Sequence, residues 1–143
     1  ILAGLILGSK RGGYVGLLFL FLGLALPVLA GGGTTLRALA GPTAGYIIGY
    51  VLSPAVAGAI AYRSPKNKGG MAVMLAIAAV AGLAVQYICG AFGLMIRSGL
   101  EIGPAFAAQL PFIPVDAGKL VVAVIIALGV HSAFPDLMGR KAA

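Results

Sequence analysis

Charged residues are scarce in this sequence, and acidic residues are the scarcest of them. Only 9% of the 143 residues are charged, and three are Asp or Glu. A soluble globular domain carries about 25% charged residues, so the composition excludes that class. With 61% hydrophobic residues and a mean hydropathy of +1.10, the chain is predicted to be an integral membrane protein. So few acids also give little support to a proton relay.

Cysteine and histidine each occur once, as Cys89 and His131. An internal disulfide is therefore excluded, and the sequence has no Cys/His cluster for a metal. The nucleotide-binding patterns G-x-x-x-x-G-K-[ST] and G-x-G-x-x-G do not occur, and no serine or cysteine nucleophile has a nearby base. We therefore expect no enzymatic activity, no ATP hydrolysis by this chain itself and no cofactor.

What the sequence does have is long apolar runs, and these predict an all-α, polytopic membrane helical bundle. Backbone groups in lipid must be satisfied within a segment, which favours helices. Residues 1–8 are also apolar but too few to span a bilayer, which takes about 20 residues. We expect one membrane-embedded domain over 1–143, with five helical segments of six and the N-terminal helix missing. The four long segments are 14–30, 43–62, 71–96 and 116–133.

Prolines and basic residues divide the chain further. Pro27 and Pro54 predict kinks or breaks in their segments. Loops 9–13 and 63–70 and the C-terminal tail together carry seven basic residues, whereas loops 31–42 and 97–115 carry two. The positive-inside rule then predicts a cytoplasmic C-terminus. It also explains the net charge of +7 without a nucleic-acid partner. The seven are Lys10, Arg11, Arg63, Lys66, Lys68, Arg140 and Lys141.

Polar side chains from distant parts of the chain fall at a similar depth near the outer surface. Asp116 and Lys119 lie three residues apart at the outer end of the last segment. A charge deep in lipid costs about 3 kcal/mol, so a role facing a cavity is expected for such a pair. Convergent polar groups with aromatic walls are typical of a ligand pocket. The other members of this set are Thr34, Thr35, Tyr46, Tyr50, Gln86 and Tyr87.

Structural alternatives exist for each of these residues. Asp116 could cap its helix, and Lys119 could pair with it or extend to the interface. Tyrosines favour membrane interfaces in any case, and Gln86 could form a hydrogen bond between helices. Glycines spaced by four, such as Gly45 and Gly49, allow close helix packing, although a docking surface for a partner protein uses the same pattern.

Three sequence blocks together resemble the BioY family, the biotin-binding S components of energy-coupling factor (ECF) transporters. The blocks are "LPVLAGGG" at 26–33, "GPTAGYIIGY" at 41–50 and "PFIPVDAGK" at 111–119. The resemblance implies a six-helix protein in the bacterial cytoplasmic membrane that captures biotin from outside. It also implies as partners a transmembrane coupling protein and two ABC-type ATPases, which hydrolyse the ATP.

The resemblance implies binding roles most directly for Asp116 and Lys119, with Tyr46 and Tyr87 as pocket walls. The loop 31–35 matches the family's outer loop over the ligand, and we include Gly32 and Thr34 from it. Gln86 joins the predicted site through its depth beside Tyr87. The alternatives left open are an S component for another small vitamin, a non-transporting membrane protein and a self-sufficient secondary transporter.

Overall fold

The structure, a computed structural model, describes residues 1–139, and the regular elements in that range are all helical. The predicted all-α class is therefore confirmed. Two short 3-10 turns, Ala30–Gly32 and Leu110–Phe112, lie in the connections. The α-helices within the described range are α1 (Leu2–Leu7), α2 (Ser9–Ala25), α3 (Thr35–Ala40), α4 (Ala44–Ala61), α5 (Lys68–Ser98), α6 (Ile102–Ala107), α7 (Ile113–Ala133) and α8 (Asp136–Gly139).

The boundary between α1 and α2 differs from the sequence prediction. Gly8 turns the chain with φ 85°, a conformation that glycine adopts at no steric cost. Residues 9–13 then already belong to α2, so the predicted loop there is wrong. Lys10 and Arg11 are exposed in the first turn of that helix. At the other end Leu26 is extended, as expected for a residue before a proline, and the predicted break at Pro27 is confirmed.

The two central helices follow the apolar runs closely. Helix α4 continues through Pro54 to Ala61 rather than ending at the proline. Helix α5 has 31 residues and is about 46 Å long at 1.5 Å per residue. It ends where Gly99 takes a left-handed conformation with φ 64°, and the Gly99 N–H donates to the Met95 carbonyl at 3.1 Å. This is a common way to close a helix.

Three regions of the described chain are long and apolar enough to cross a membrane: Ala44–Ala61, Lys68–Ser98 and Ile102–Ala133. The third region combines α6, the second 3-10 turn and α7. Helix α2 has 17 residues and is about 26 Å long, slightly shorter than a hydrocarbon core of about 30 Å. Large apolar side chains such as Phe21 and Ile96 are exposed on the outside of the helices. The chain is a multi-pass membrane protein.

Helices α4 and α5 make the most extensive contact in the fold, and glycines allow it. A Cβ atom at Gly45 would overlap the Cys89 carbonyl and the backbone of Gly93, and one at Gly49 would overlap the side chain of Gln86. The G-x-x-x-G spacing therefore serves packing within the chain at these two positions, as the packing interpretation expects.

The buried core lies at the end of the bundle where α4 and α7 finish and α5 begins. Helix α1 is held there by Tyr62, which donates to the Ile6 carbonyl at 2.7 Å. It is also held by buried His131, whose Nε2 lies 2.8 Å from the Leu5 carbonyl. The core consists of Leu5, Ala57, Ala61, Leu75, Ala78, Ala79 and Ala127. The opposite end of the bundle, where α4 and α7 begin, is left open.

Candidate functional site

A cavity of about 1280 Å³ occupies the open end of the bundle. Its walls are the start of α1, the loop before α3, helix α3, the connection between α6 and α7, and parts of α4, α5 and α7. Most of the lining is apolar, with a few polar side chains among it, which is typical of a site for a small organic ligand. In residues 1–139, no three His, Cys, Asp or Glu side chains lie together as a metal site requires.

Six of the seven residues predicted for the site line this cavity: Thr34, Tyr46, Gln86, Tyr87, Asp116 and Lys119. They come from the loop before α3 and from three helices, so the fold brings together groups that are up to 85 positions apart in the chain (119 minus 34). Among the described residues, the lining includes Gly31 and Gly33 but not Gly32. The Tyr50 side chain also lies at the cavity.

A chain of polar contacts joins α5 to α7 at the cavity wall. Tyr87 donates its hydroxyl to Asp116 Oδ2 at 2.6 Å, within the range of strong hydrogen bonds to a charged acceptor. The ammonium of Lys119 lies 3.3 Å from the other oxygen, Oδ1. The Lys119 side chain is 72% exposed and the Asp116 side chain 22%. The Tyr87 bond therefore orients the carboxylate more strongly than the ion pair, which solvent weakens.

Asp116 does not have the capping role that the sequence left open. Helix α7 begins at Ile113, and the cap position is occupied by Phe112, whose side chain makes no capping hydrogen bond. Pro114 fits the first turn because amide N–H groups there have no partner within the helix. Asp116 lies in that turn, so its only link to the helix terminus is attraction to the positive end of the dipole.

Gln86 and Tyr46 connect α5 to α4 at the same level. The Gln86 amide donates from Nε2 to the Tyr46 carbonyl at 3.3 Å, so the interhelical hydrogen bond considered as an alternative is present, and the side chain also lines the cavity. Tyr46 lies over Gly90, where a Cβ atom would overlap its ring. The missing side chain at Gly90 therefore determines where the Tyr46 ring can lie.

The loop before α3 is folded into a compact turn. Gly31 and Gly32 both have φ 71°, a left-handed conformation that glycine adopts at no steric cost, and Leu29 pairs with Gly33 in an isolated bridge. Thr34 caps α3 by accepting the Arg37 backbone N–H at 3.3 Å. Within the described chain, a Cβ atom added at Gly31 or Gly32 would have no atom within 4 Å apart from those of its chain neighbours.

Arg37 and Gln109 are polar residues at this end of the bundle that were not predicted for the site. Arg37 lines the cavity, although the sequence identified it only as a loop cation. Gln109 is buried and donates from Nε2 to the Tyr87 carbonyl at 3.0 Å. It therefore holds the segment between α6 and α7 against α5, behind Tyr87. Its position in a Gly- and Pro-rich stretch gave no sequence signal for that contact.

Comparison with known proteins identifies similar proteins over most of the chain. Residues 1–136 match the model of the BioY family. The chain is 33% identical to the biotin transporter BioY of Rhizobium etli, over 98% of this chain and 78% of that protein. It is 36% identical to the biotin transporter BioY of Thermotoga maritima, over 89% of this chain and 73% of the other.

A solved structure is also similar. The crystal structure of an S-component for biotin from an ECF-type ABC transporter superposes with a TM-score of 0.77 and 28% identity. The match covers 92% of this chain and 70% of that one. The fold and the family are thus supported by independent comparisons of sequence and structure.

Proposed function

This chain belongs to the BioY family, and we propose on that basis that it is a biotin-binding S component. In this role it captures biotin at the outer face of the bacterial cytoplasmic membrane and delivers it to the cytoplasm. The names of its relatives support the ligand, and the similar solved S-component supports the kind of transporter.

The observation that carries the proposal is the Tyr87–Asp116–Lys119 chain at the wall of a largely apolar cavity. Biotin has a cyclic urea with two N–H donors and one carbonyl, an apolar thiophane ring and a carboxylate tail. Asp116 accepts a urea N–H, and Lys119 lies beside it to donate to the urea oxygen. Tyr46, Gln86 and the rest of the lining pack around the ring system. A ligand without the urea would leave these groups unpaired, which is a strong basis for selectivity.

The orientation follows from the basic residues. The end of the bundle where α4 finishes and α5 begins carries Arg63, Lys66 and Lys68, and the positive-inside rule assigns that end to the cytoplasm. The cavity at the opposite end then opens to the outside. The C-terminus is cytoplasmic, although Arg140 and Lys141, which contribute to that prediction, lie outside the described residues.

ATP-driven transport requires partners, because the sequence has no phosphate-binding loop of its own. The partners are a transmembrane coupling protein and two ABC-type ATPases of an ECF module. The similar solved structure is described as part of an ECF-type ABC transporter, which supports this assembly. Uptake of biotin by vesicles containing the chain with the module, but not by the chain alone, would distinguish it from a self-sufficient carrier.

Two substitutions test the binding role. Asp116→Asn and Lys119→Ala each remove one charge from the polar chain, and each is expected to weaken biotin binding at least tenfold, or about 1.4 kcal/mol, in calorimetry of the purified protein. Asp136→Asn and Lys66→Ala are matched controls, because these two residues are exposed at the other end of the bundle. Unchanged affinity in correctly folded Asp116 and Lys119 variants would refute the proposed site.

A further inference from the structure

Arg37 is the third charged side chain at the cavity, beside Asp116 and Lys119, and it lies on the wall formed by α3. The position of α3 is fixed by contacts on both sides. Thr35 donates its hydroxyl to the Leu20 carbonyl of α2 at 2.7 Å, and Arg97 of α5 donates to the Leu39 carbonyl at 2.6 Å. Arg37 therefore lies on an anchored helix and not on a free loop.

The charges at the cavity do not balance. The lining contains Arg37, Asp116 and Lys119 as its ionised side chains. Asp116 pairs with Lys119, whereas no carboxylate in residues 1–139 lies within ion-pair distance of Arg37. The remaining two acids, Glu101 and Asp136, are exposed and do not line the cavity in the described structure. One positive charge is thus left over, and an anionic ligand would neutralise it.

We propose that Arg37 binds the carboxylate of the ligand and makes the site selective for a monocarboxylate. The inference rests on the proposed function, and it assigns each end of biotin to a different part of the cavity. The urea lies at Asp116 and Lys119, and the tail extends towards α3. A guanidinium matches a carboxylate with two parallel hydrogen bonds. Lys119 is paired with Asp116 and is assigned to the urea oxygen in the proposed function, which leaves Arg37 as the cation for the tail.

The test compares biotin with biotinamide, which has a neutral tail and an unchanged ring system. By calorimetry, the wild-type chain is expected to bind biotin about tenfold or more tightly than biotinamide, since a hydrogen-bonded charge pair is worth at least that ratio. In Arg37→Gln the preference should fall to about threefold or less, through loss of biotin affinity alone. Arg37→Lys keeps the charge and should retain part of the preference. Arg63→Gln is the control, because Arg63 is exposed at the opposite end.

The outcomes separate the two proposals. If the wild-type chain binds neither compound, both the proposed function and this inference fail. If it binds biotin, but Arg37→Gln keeps the full preference, the inference alone is overturned. Loss of the preference in Lys119→Ala, with Arg37→Gln unaffected, would overturn it in the same way and assign the tail to Lys119. Because Arg37 is exposed, folding of its variants, checked by thermal unfolding in detergent, should match the wild type.

Discussion

Replacing Tyr87 by Phe removes one hydroxyl and keeps the ring, so it isolates the hydrogen bond donated to Asp116 at 2.6 Å. In the ligand-free protein, water can replace the hydroxyl because the Asp116 side chain is 22% exposed. A bound ligand excludes that water and leaves Oδ2 without its donor. An unsatisfied group of this kind costs about 1–3 kcal/mol, and about 1.4 kcal/mol is a factor of ten. The cost should therefore appear in binding.

We expect Tyr87→Phe to bind biotin about tenfold or more weakly in calorimetry, with folding intact. Tyr62→Phe is the matched control, because Tyr62 donates a bond of 2.7 Å to the Ile6 carbonyl and does not line the cavity in the described structure. That variant should lose stability and keep its affinity. Wild-type affinity in folded Tyr87→Phe would refute the reasoning, because Asp116 would then not depend on this bond when the ligand is present.

Two further predictions concern glycines. Gly45→Ala should lower stability in detergent by about 1–3 kcal/mol, because the methyl group would overlap the Gly93 backbone, which outweighs the better helix propensity of alanine. Gly129→Ala is the control and should not lower stability, because a Cβ atom there would meet no other atom within 4 Å apart from the adjacent helix backbone. Equal thermal unfolding temperatures for the two variants would contradict the close packing at Gly45. Gly90→Ala should displace the Tyr46 ring and weaken biotin binding in calorimetry about fivefold to tenfold, or about 1–1.5 kcal/mol. Unchanged affinity would argue against Tyr46 as a wall of the binding site.

The long apolar runs predicted the two central helices, α4 and α5, well. Helix α4 matches its segment to within one residue at each end, whereas α5 extends beyond 71–96 at both ends. The start of α2 was wrong because a lysine next to an arginine indicated a loop. The first turn of a helix exposes two adjacent basic residues equally well. The chain turns at Gly8, before Lys10 and Arg11, so these two residues lie in the first turn of α2.

The site could be predicted in part because depth in the membrane places residues of different helices at one level. Asp116 and Lys119 were recognisable from their spacing within one helix. Their contact with Tyr87 was not, because it depends on how α5 packs against α7. The same applies to Gln109, which bonds a backbone carbonyl and has no sequence pattern. The place of Arg37 at the cavity could not be predicted either, because it depends on where α3 lies in the fold.

Calorimetric titration of the purified wild-type chain with biotin, thiamine and riboflavin tests the central claim most directly. The pairing of Asp116 with Lys119 beside an apolar cavity predicts saturable binding of biotin and none of the other two at the same concentrations. Preferred binding of thiamine or riboflavin would make the chain an S component for another vitamin. Absence of binding to all three in folded protein would contradict its assignment as a vitamin-capturing component.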